Sequence, residues 1–237
     1  MGGLIKLSNF AKLAPYGEMF GQGLAITVML SIGTVAVGAV LGVILALMRM
    51  SDIRPLRFLG LDKEGRLRGP GLLTTLSKFH PLSFLATAYV EILRSTPVIV
   101  QIAVIYYGIF GVIDLPTFSL FGITKFHRFF PGVVALGMNS GAYLCEIIRS
   151  GIQSIDGGQT EAARSLGLSK WQGMYMVVLP QAIKNVLPAL ANEIITMVKE
   201  SSICMVLGIC DLMFAAKSTA GSTWISTGPY VLVAVIY

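Results

Sequence analysis

No charged residue falls between Glu18 and Arg49, and Gly23 to Met48 forms one continuous apolar run. At about 1.5 Å per helical residue, such a run crosses a hydrocarbon core about 30 Å thick with some tilt. Gly33, Gly38, Ala39 and Gly42 within it allow another helix to approach closely. A second apolar run, Pro81 to Ile113, is interrupted by Glu91 and Arg94. Its charge-free part, from Ser95, is long enough to cross, and Thr96-Pro97 starts it with proline in a tolerated early position. The part before Ser95 is amphipathic and is expected along the cytoplasmic surface. A third span starts at Pro131 and ends near Glu146 and Arg149. A fourth runs roughly from Leu187 to Leu207. Gly228 to Tyr237 is apolar but too short to cross, so the natural chain is expected to continue. The pattern predicts an all-α fold, a polytopic transmembrane helical bundle of about five spans, with residues 1–237 as a single membrane domain.

The polar stretches set the topology. The insert 49–80 holds Arg49, Arg54, Arg57, Lys63, Arg66, Arg68 and Lys78 against Asp52, Asp62 and Glu64. Its basic excess places it in the cytoplasm and the N-terminus outside. Asp114 to Phe130, with two proline-flanked turns, reads as a short external loop. The cytoplasmic loop 150–180 predicts a helix over Gln159–Leu166, capped by Gln159 or Thr160. Gly167 breaks that helix, and Ser169 caps a second one through Val178. Pro180 and Pro188 then punctuate entry into the fourth span. Asp211 to Ser226 reads as an external loop or re-entrant segment.

Composition agrees with lipid as the main solvent. Of 237 residues, 54% are hydrophobic and 13% charged, against about 25% charged in ordinary soluble domains; mean hydropathy is +0.76. The net charge of +6 sits in loops beside apolar runs, which points to a membrane and not to nucleic acid. Cys145, Cys204 and Cys210 lie in apolar stretches without ligand spacing, so no zinc site or disulfide framework is signalled. His80 and His127 are expected in interfacial loops on opposite sides of the membrane. The N-terminus, with Lys6 and Lys12, shows no cleavable signal pattern. No catalytic constellation appears, and no GxxxxGK[ST] phosphate loop. No catalytic residue, metal ligand or bound cofactor is therefore expected in this chain.

One stretch is more specific than the rest: Glu161-Ala162-Ala163, then Gly167, then Val177-Val178-Leu179-Pro180. Ala162 and Ala163 leave a flat surface for a partner, Glu161 supplies a charge, and Gly167 permits a sharp turn. This arrangement resembles the EAA loop of the membrane-spanning permease subunits of ATP-binding-cassette importers, with Val177 at a position usually occupied by Ile. Glu91 to Pro97 followed by Val100-Gln101 resembles the "FRGTP…VQ" segment of the polar amino-acid permeases within that family, with Ser95 where Gly is common. Tyr143, Glu146 and Arg149 resemble their "AYxxExxR" segment, and Lys199-Glu200-Ser201-Ser202 their "K(D/E)(T/S)S" segment. The insert 52–78 is longer than such permeases usually carry. It reads as a solvated loop, with contact to the ATPase or to a regulator as the alternative.

The resemblance implies a second permease subunit (homodimer or heterodimer), cytoplasmic ATP-binding subunits that hold ATP and Mg, and an extracytoplasmic solute-binding protein. It implies a prokaryotic plasma membrane, an amino-acid substrate and alternating access. It assigns ATPase coupling to Glu161, Ala162, Ala163, Gly167, Leu179 and Pro180. Ionisable residues within a span mark pathways by default, so Glu193, Thr196, Lys199 and Glu200 are candidate pathway residues, joined by Asn139, Ser140, Tyr143 and Glu146. Structural pairing between helices is the alternative for each. Arg94 and Glu91, three apart, read as an interfacial pair anchoring the helix. Rival functions are a same-fold permease for an oligopeptide, metal chelate or phosphonate, an intramembrane enzyme, and an assembly subunit with no pore. The enzyme lacks any supporting motif, and the intramembrane charges weigh against the assembly subunit.

Overall fold

The computed structural model describes residues 12–51, 53, 80–120, 122–225 and 227–237. Most of the insert 49–80 therefore lies outside the described residues, as does Lys6. After a 3-10 turn at Ala14–Tyr16, helix α1 (Gly17–Arg49) carries the first apolar run, with Glu18 in its first turn and Arg49 in its last. That placement opposes the partial charges of the helix ends. Helix α2 (Pro81–Ser95) stops at Thr96-Pro97, where Pro97 is extended at φ −63°, ψ 133°. Helix α3 (Val98–Ala103) widens into a π turn at Val104–Ile109 and ends in a 3-10 turn at Phe110–Val112. Strands β1 (Ser119–Leu120) and β2 (Thr124–Lys125) pair antiparallel, Ser119 opposite Lys125.

Helix α4 (Phe126–Gln153) leads to α5 (Gly157–Ser165) and α6 (Lys170–Gly173). A π turn at Met174–Val178 continues into α7 (Leu179–Glu200) and a 3-10 stretch, Ser201–Leu207. Gly208, at φ +72°, ends it. Helices α8 (Leu212–Thr223) and α9 (Gly228–Ile236) complete the chain. Among the described residues, two helical stretches are long and apolar enough to cross a membrane, Ala14–Arg49 and Lys170–Leu207. The pair Pro81–Ser95 and Val98–Val112 makes a third if it is one broken span.

Several expectations are corrected. Asp114–Phe130 is not wholly a loop: it contains the hairpin, and α4 starts at Phe126 with Pro131 inside it. The Phe126 amide donates to the Phe118 carbonyl at 3.0 Å. Phe118 stacks on Phe126 and Phe126 on Phe130, so the turn ahead of the proline is held from outside the helix. Asp211–Ser226 is mostly helical, because Asp211 caps α8 by accepting from the Phe214 amide at 2.7 Å. Neither proline interrupts the helical stretch Lys170–Leu207: Pro180 is the second residue of α7 and Pro188 lies inside it. The donor that Pro180 lacks would have bonded within the preceding π turn, whose wider ladder tolerates the loss. His127 lies in the first turn of α4, not in a loop.

The chain divides into two compact units. Unit 1 comprises Met1–Ala39, Thr96–Ser140 and Pro188–Tyr237. Its core packs Ile26 and Leu30 of α1 with Ile102, Leu136 and Ile209, and a second cluster joins Phe20, Leu212, Ala216 and Val233. A Cβ added at Gly33 would lie 3.2 Å from Val133 Cγ1, so glycine permits the close crossing there, as expected. Unit 2 comprises Val40–Ser95 and Gly141–Leu187. Leu45 and Ala46 pack with Ala86, Val90, Ala142 and Cys145. Gly42 sits against Leu144, whose Cβ would be 2.6 Å from a Cβ at that position.

Candidate functional site

The hairpin of α5 and α6, in unit 2, is defined by its own capping. Asp156, and not Gln159 or Thr160, caps α5: its side chain accepts from the Gly158 amide at 2.6 Å. At the other end, the Leu168 amide donates to the Ala163 carbonyl at 3.1 Å and the Gly167 amide to the Arg164 carbonyl at 3.0 Å. This pair of bonds is a Schellman closure, which requires a left-handed residue after the helix. Gly167 supplies it at φ +82°. Ser169 caps α6 as expected: its hydroxyl accepts from the Gln172 amide, and the Gln172 side chain accepts from the Ser169 amide.

Ala163 is buried against the second arm, where a Cβ at Gly173 would be 3.4 Å from the Ala163 Cβ. Glu161 and Ala162 are exposed, Leu179 is half-buried and Pro180 exposed. Sequence reasoning missed the apolar residues turned outward at the hairpin: Leu166 is 83% and Trp171 84% exposed, with Tyr175 and Met176 also open. A lone Trp in a polar loop was the available signal. At the base, Asn185 Nδ2 donates to Ser154 Oγ at 2.9 Å, and Gln181 Nε2 donates to the Val177 carbonyl at 2.8 Å.

Unit 2 also holds an ion-pair cluster around Glu146. Arg49 donates to Glu146 Oε1, Arg149 donates to Oε2 through Nε and Nη2 at 3.0 and 2.9 Å, and Arg94 Nη1 lies 3.4 Å from Oε1. Arg94 also covers the ring of Tyr143, its Cζ 5.4 Å from the centroid. The expected Glu91–Arg94 pair is replaced by separate partners, for Glu91 lies 3.9 Å from Arg49.

In unit 1, Ser140 Oγ donates to Glu193 Oε1 at 3.1 Å, and both residues are buried. Asn139 Nδ2 donates to Gln101 Oε1 at 2.9 Å, and Gln101 Nε2 donates to the Thr96 hydroxyl at 2.8 Å. Gln101 is a polar residue in a charge-free run and was not among the expected pathway residues. Thr196 bonds its own helix at the Asn192 carbonyl, at 2.9 Å. Lys199 is exposed, while Glu200 is half-buried and its Oε2 has no hydrogen-bond partner among the described residues. Glu193 and Glu200 are seven apart on α7 and share a face. Glu193, buried and met by the Ser140 hydroxyl, and Glu200, half-buried, thus put two carboxylates on one face, and poorly solvated carboxylates attract positive charge.

The family described as "binding-protein-dependent transport system inner membrane component" matches residues 70–237. The arginine transport system permease protein ArtQ of Bacillus subtilis (strain 168) is 34% identical over 229 residues, 97% of this chain and 89% of the relative. The putative glutamine transport system permease protein GlnP of Rickettsia bellii (strain RML369-C) is 34% identical over 226 residues, 95% of this chain and 88% of the relative. Among solved structures, an amino acid ABC transporter crystallised with histidines aligns with a TM-score of 0.77 at 38% identity, over 96% of this chain and 90% of that one.

Proposed function

The chain belongs to the family of binding-protein-dependent transport system inner membrane components, and from that premise we propose that it is the permease subunit of an ATP-driven importer for a polar amino acid. The observation that carries this reading is the hairpin: its turn is closed at both ends by its own caps, yet it turns Leu166 and Trp171 outward. A pre-formed element with unburied apolar side chains suits docking to another protein. In this reading the hairpin is cytoplasmic, the N-terminus lies outside, and 1–237 acts as one membrane domain. Glu161, Ala162, Ala163 and Gly167 form the docking arm, and Leu179-Pro180 passes its movement into α7.

The partner is an ATPase subunit that holds ATP and Mg. Two permease subunits pair across a plasma membrane, and an extracytoplasmic binding protein delivers the solute. Inverting a 1:99 population between inward- and outward-facing states takes about 5.5 kcal/mol of differential binding, which ATP supplies through the hairpin. The solute passes Asn139, Ser140, Glu193, Thr196, Lys199 and Glu200. The carboxylates receive its ammonium or a basic side chain, and Lys199 its carboxylate. Tyr143 and Glu146 anchor the same helix that carries Asn139 and Ser140. The names of the relatives, arginine and glutamine permeases, support this solute class.

The test is reconstitution in liposomes with the adjacent ATPase and binding protein, reading amino-acid uptake and stimulated hydrolysis for wild type, Glu161→Lys and Trp171→Asp. Loss of both activities with normal insertion supports the coupling role, and the stimulating amino acid identifies the solute. Wild-type coupling in both variants would remove the hairpin from the mechanism.

A further inference from the structure

We infer that the cavity between the end of α3 and the start of α4, in unit 1, binds a guanidinium group. The cavity arises from the way α3 ends. The helix widens into the π turn Val104–Ile109, tightens into the 3-10 turn Phe110–Val112 and gives way to the segment that carries Asp114 and Thr117. His127 comes back to the same place from the first turn of α4. The space enclosed is about 250 Å³, with Tyr106, Tyr107, Phe110, Asp114, Thr117 and His127 among its lining residues. Pockets for drug-sized ligands begin at about 300 Å³, so this one suits a group the size of a side-chain head. All of its lining falls within Thr96–Ser140, so the cavity belongs to unit 1 alone.

The lining selects the charge of the occupant and then its kind. Tyr106 and Tyr107 meet edge to face, their centroids 4.9 Å apart and their planes at 85°, which gives the aromatic wall two panels at right angles. Asp114 is exposed and has no ion-pair partner among the described residues. No described lysine or arginine lines the cavity; Arg128, beside His127, turns its Nη1 to the Gly208 carbonyl at 3.4 Å. Aromatic rings and a carboxylate together attract a cation. An anion meets repulsion from Asp114, and an apolar ligand would strip water from that carboxylate without replacing its hydrogen bonds. A calcium ion requires about six oxygen ligands or more, against one carboxylate here. An ammonium group is strongly hydrated and gains less from the rings. A guanidinium is weakly hydrated, planar and carries donors only. It can lie against a tyrosine ring and donate to Asp114 and to the Thr117 hydroxyl. His127 supplies a local reporter, because no hydrogen bond at Nδ1 fixes its tautomer among the described residues. The inference uses neither the coupling role nor the solute pathway.

The test is solid-state NMR of the permease–ATPase complex in proteoliposomes, with ring-¹⁵N-labelled histidine and constant ionic strength. Methylguanidinium is expected to move the His127 signal, identified by its absence from His127→Gln, along a saturable curve. Methylurea, neutral and of the same shape, should leave it in place. Asp114→Asn should weaken binding about tenfold and Tyr107→Leu about 2- to 5-fold, with the other histidine signals unmoved as the check on folding. Glu193→Gln should leave the curve unchanged, which separates this cavity from the carboxylates of α7 and lets the inference stand or fall apart from the transport reading. Competition identifies the source of the group. Displacement by free arginine assigns it to a small solute. Displacement only by N-acetylarginine methylamide, which lacks the free carboxylate, assigns it to an arginine side chain of a partner protein. Both support a guanidinium site. No saturable shift in wild type, an equal response to methylurea or an undiminished response in Asp114→Asn overturns the inference. So does tetramethylammonium competing as well as methylguanidinium, because the rings alone would then account for binding.

Discussion

Gly167→Ala isolates the backbone requirement of the α5–α6 hairpin. A Cβ at this position would meet nothing within 4 Å, so the substitution introduces no clash. What it changes is the left-handed conformation at φ +82°. Holding an ordinary L-residue there costs about 1–2 kcal/mol. That penalty lowers the population of the native hairpin relative to alternatives about 5- to 30-fold. The Schellman bonds from Leu168 and Gly167 back to α5 are what the alternatives lose. If the ATPase docks on this hairpin, apparent affinity for the ATPase falls by up to the same factor, since only the competent fraction binds. Gly167→Asn should fall less, because asparagine tolerates the left-handed region better than alanine. The assay is ATPase binding to the permease in nanodiscs, with stimulated hydrolysis read alongside and thermal unfolding as the control. The expected order is Gly, then Asn, then Ala, with the melting temperature of the membrane body unmoved. Equal binding by all three residues would refute the reasoning, and so would a loss confined to variants that also melt early.

Other outcomes follow from the buried Ser140–Glu193 contact and the ion-pair cluster. Glu193→Gln removes a buried carboxylate's charge while keeping its shape and leaves the Ser140 hydroxyl an acceptor. It should cut uptake of a basic amino acid at least about tenfold with little change in stability, read by solute flux and thermal melting together. Ser140→Ala removes the hydroxyl that meets the Glu193 carboxylate and should destabilise by about 1–3 kcal/mol, measured by melting in detergent. Glu146→Ala strands the largely buried Arg49 and should destabilise by roughly 3 kcal/mol. Glu146→Ala together with Arg49→Leu should recover part of that loss, and a double variant as unstable as the single one would place the defect elsewhere.

What the sequence made legible follows from how far apart the deciding groups lie. The first span was readable because hydrocarbon tolerates no charge, so the limits Glu18 and Arg49 nearly coincide with α1 itself. The turn at Gly167 and the cap at Ser169 were readable because both are local chemistry within a few residues. The start of α5 was displaced by the same locality: Asp156 out-competed Gln159 and Thr160 as a cap, being an acceptor two residues before the Gly158 amide. Helix α8 has no local pattern to announce it, because Lys217, Ser218, Gly221 and Ser222 break any apolar stripe and its start rests on Asp211. The Glu91–Arg94 pairing failed for a different reason. Three-residue spacing allows the pair, but Glu146 and Arg49, brought in from remote sequence, offer closer partners. The grouping of Gln101 with Asn139 also joins positions far apart in sequence, which no local pattern encodes.

The base of the hairpin provides a test in which two residues must be changed together. Gly151 on α4 faces Val186 on α7, and an added Cβ there would run into Val186 Cγ2. Valine is stiff at χ1, so its methyl cannot swing aside cheaply. Gly151→Ala should therefore force the two helices apart and destabilise unit 2 by about 1–3 kcal/mol. The disturbance falls where the Asn185 amide donates to Ser154, whose hydroxyl in turn bonds the Gly151 carbonyl at 2.8 Å. Because these helices bracket the hairpin, coupling should suffer along with stability. Val186→Ala deletes the offending methyl, after which the nearest remaining neighbours of the new Cβ, the Ala182 carbonyl oxygen and the Cβ at position 186, stand at an ordinary 3.5 Å. The double variant should thus melt later than Gly151→Ala alone, even though Val186→Ala by itself opens a cavity and lowers stability. This reversal of sign is the signature of a direct steric contact. Additive losses in the double variant, with coupling lost to the same extent, would mean that α4 and α7 are not clamped at this point and that the hairpin is positioned by other contacts.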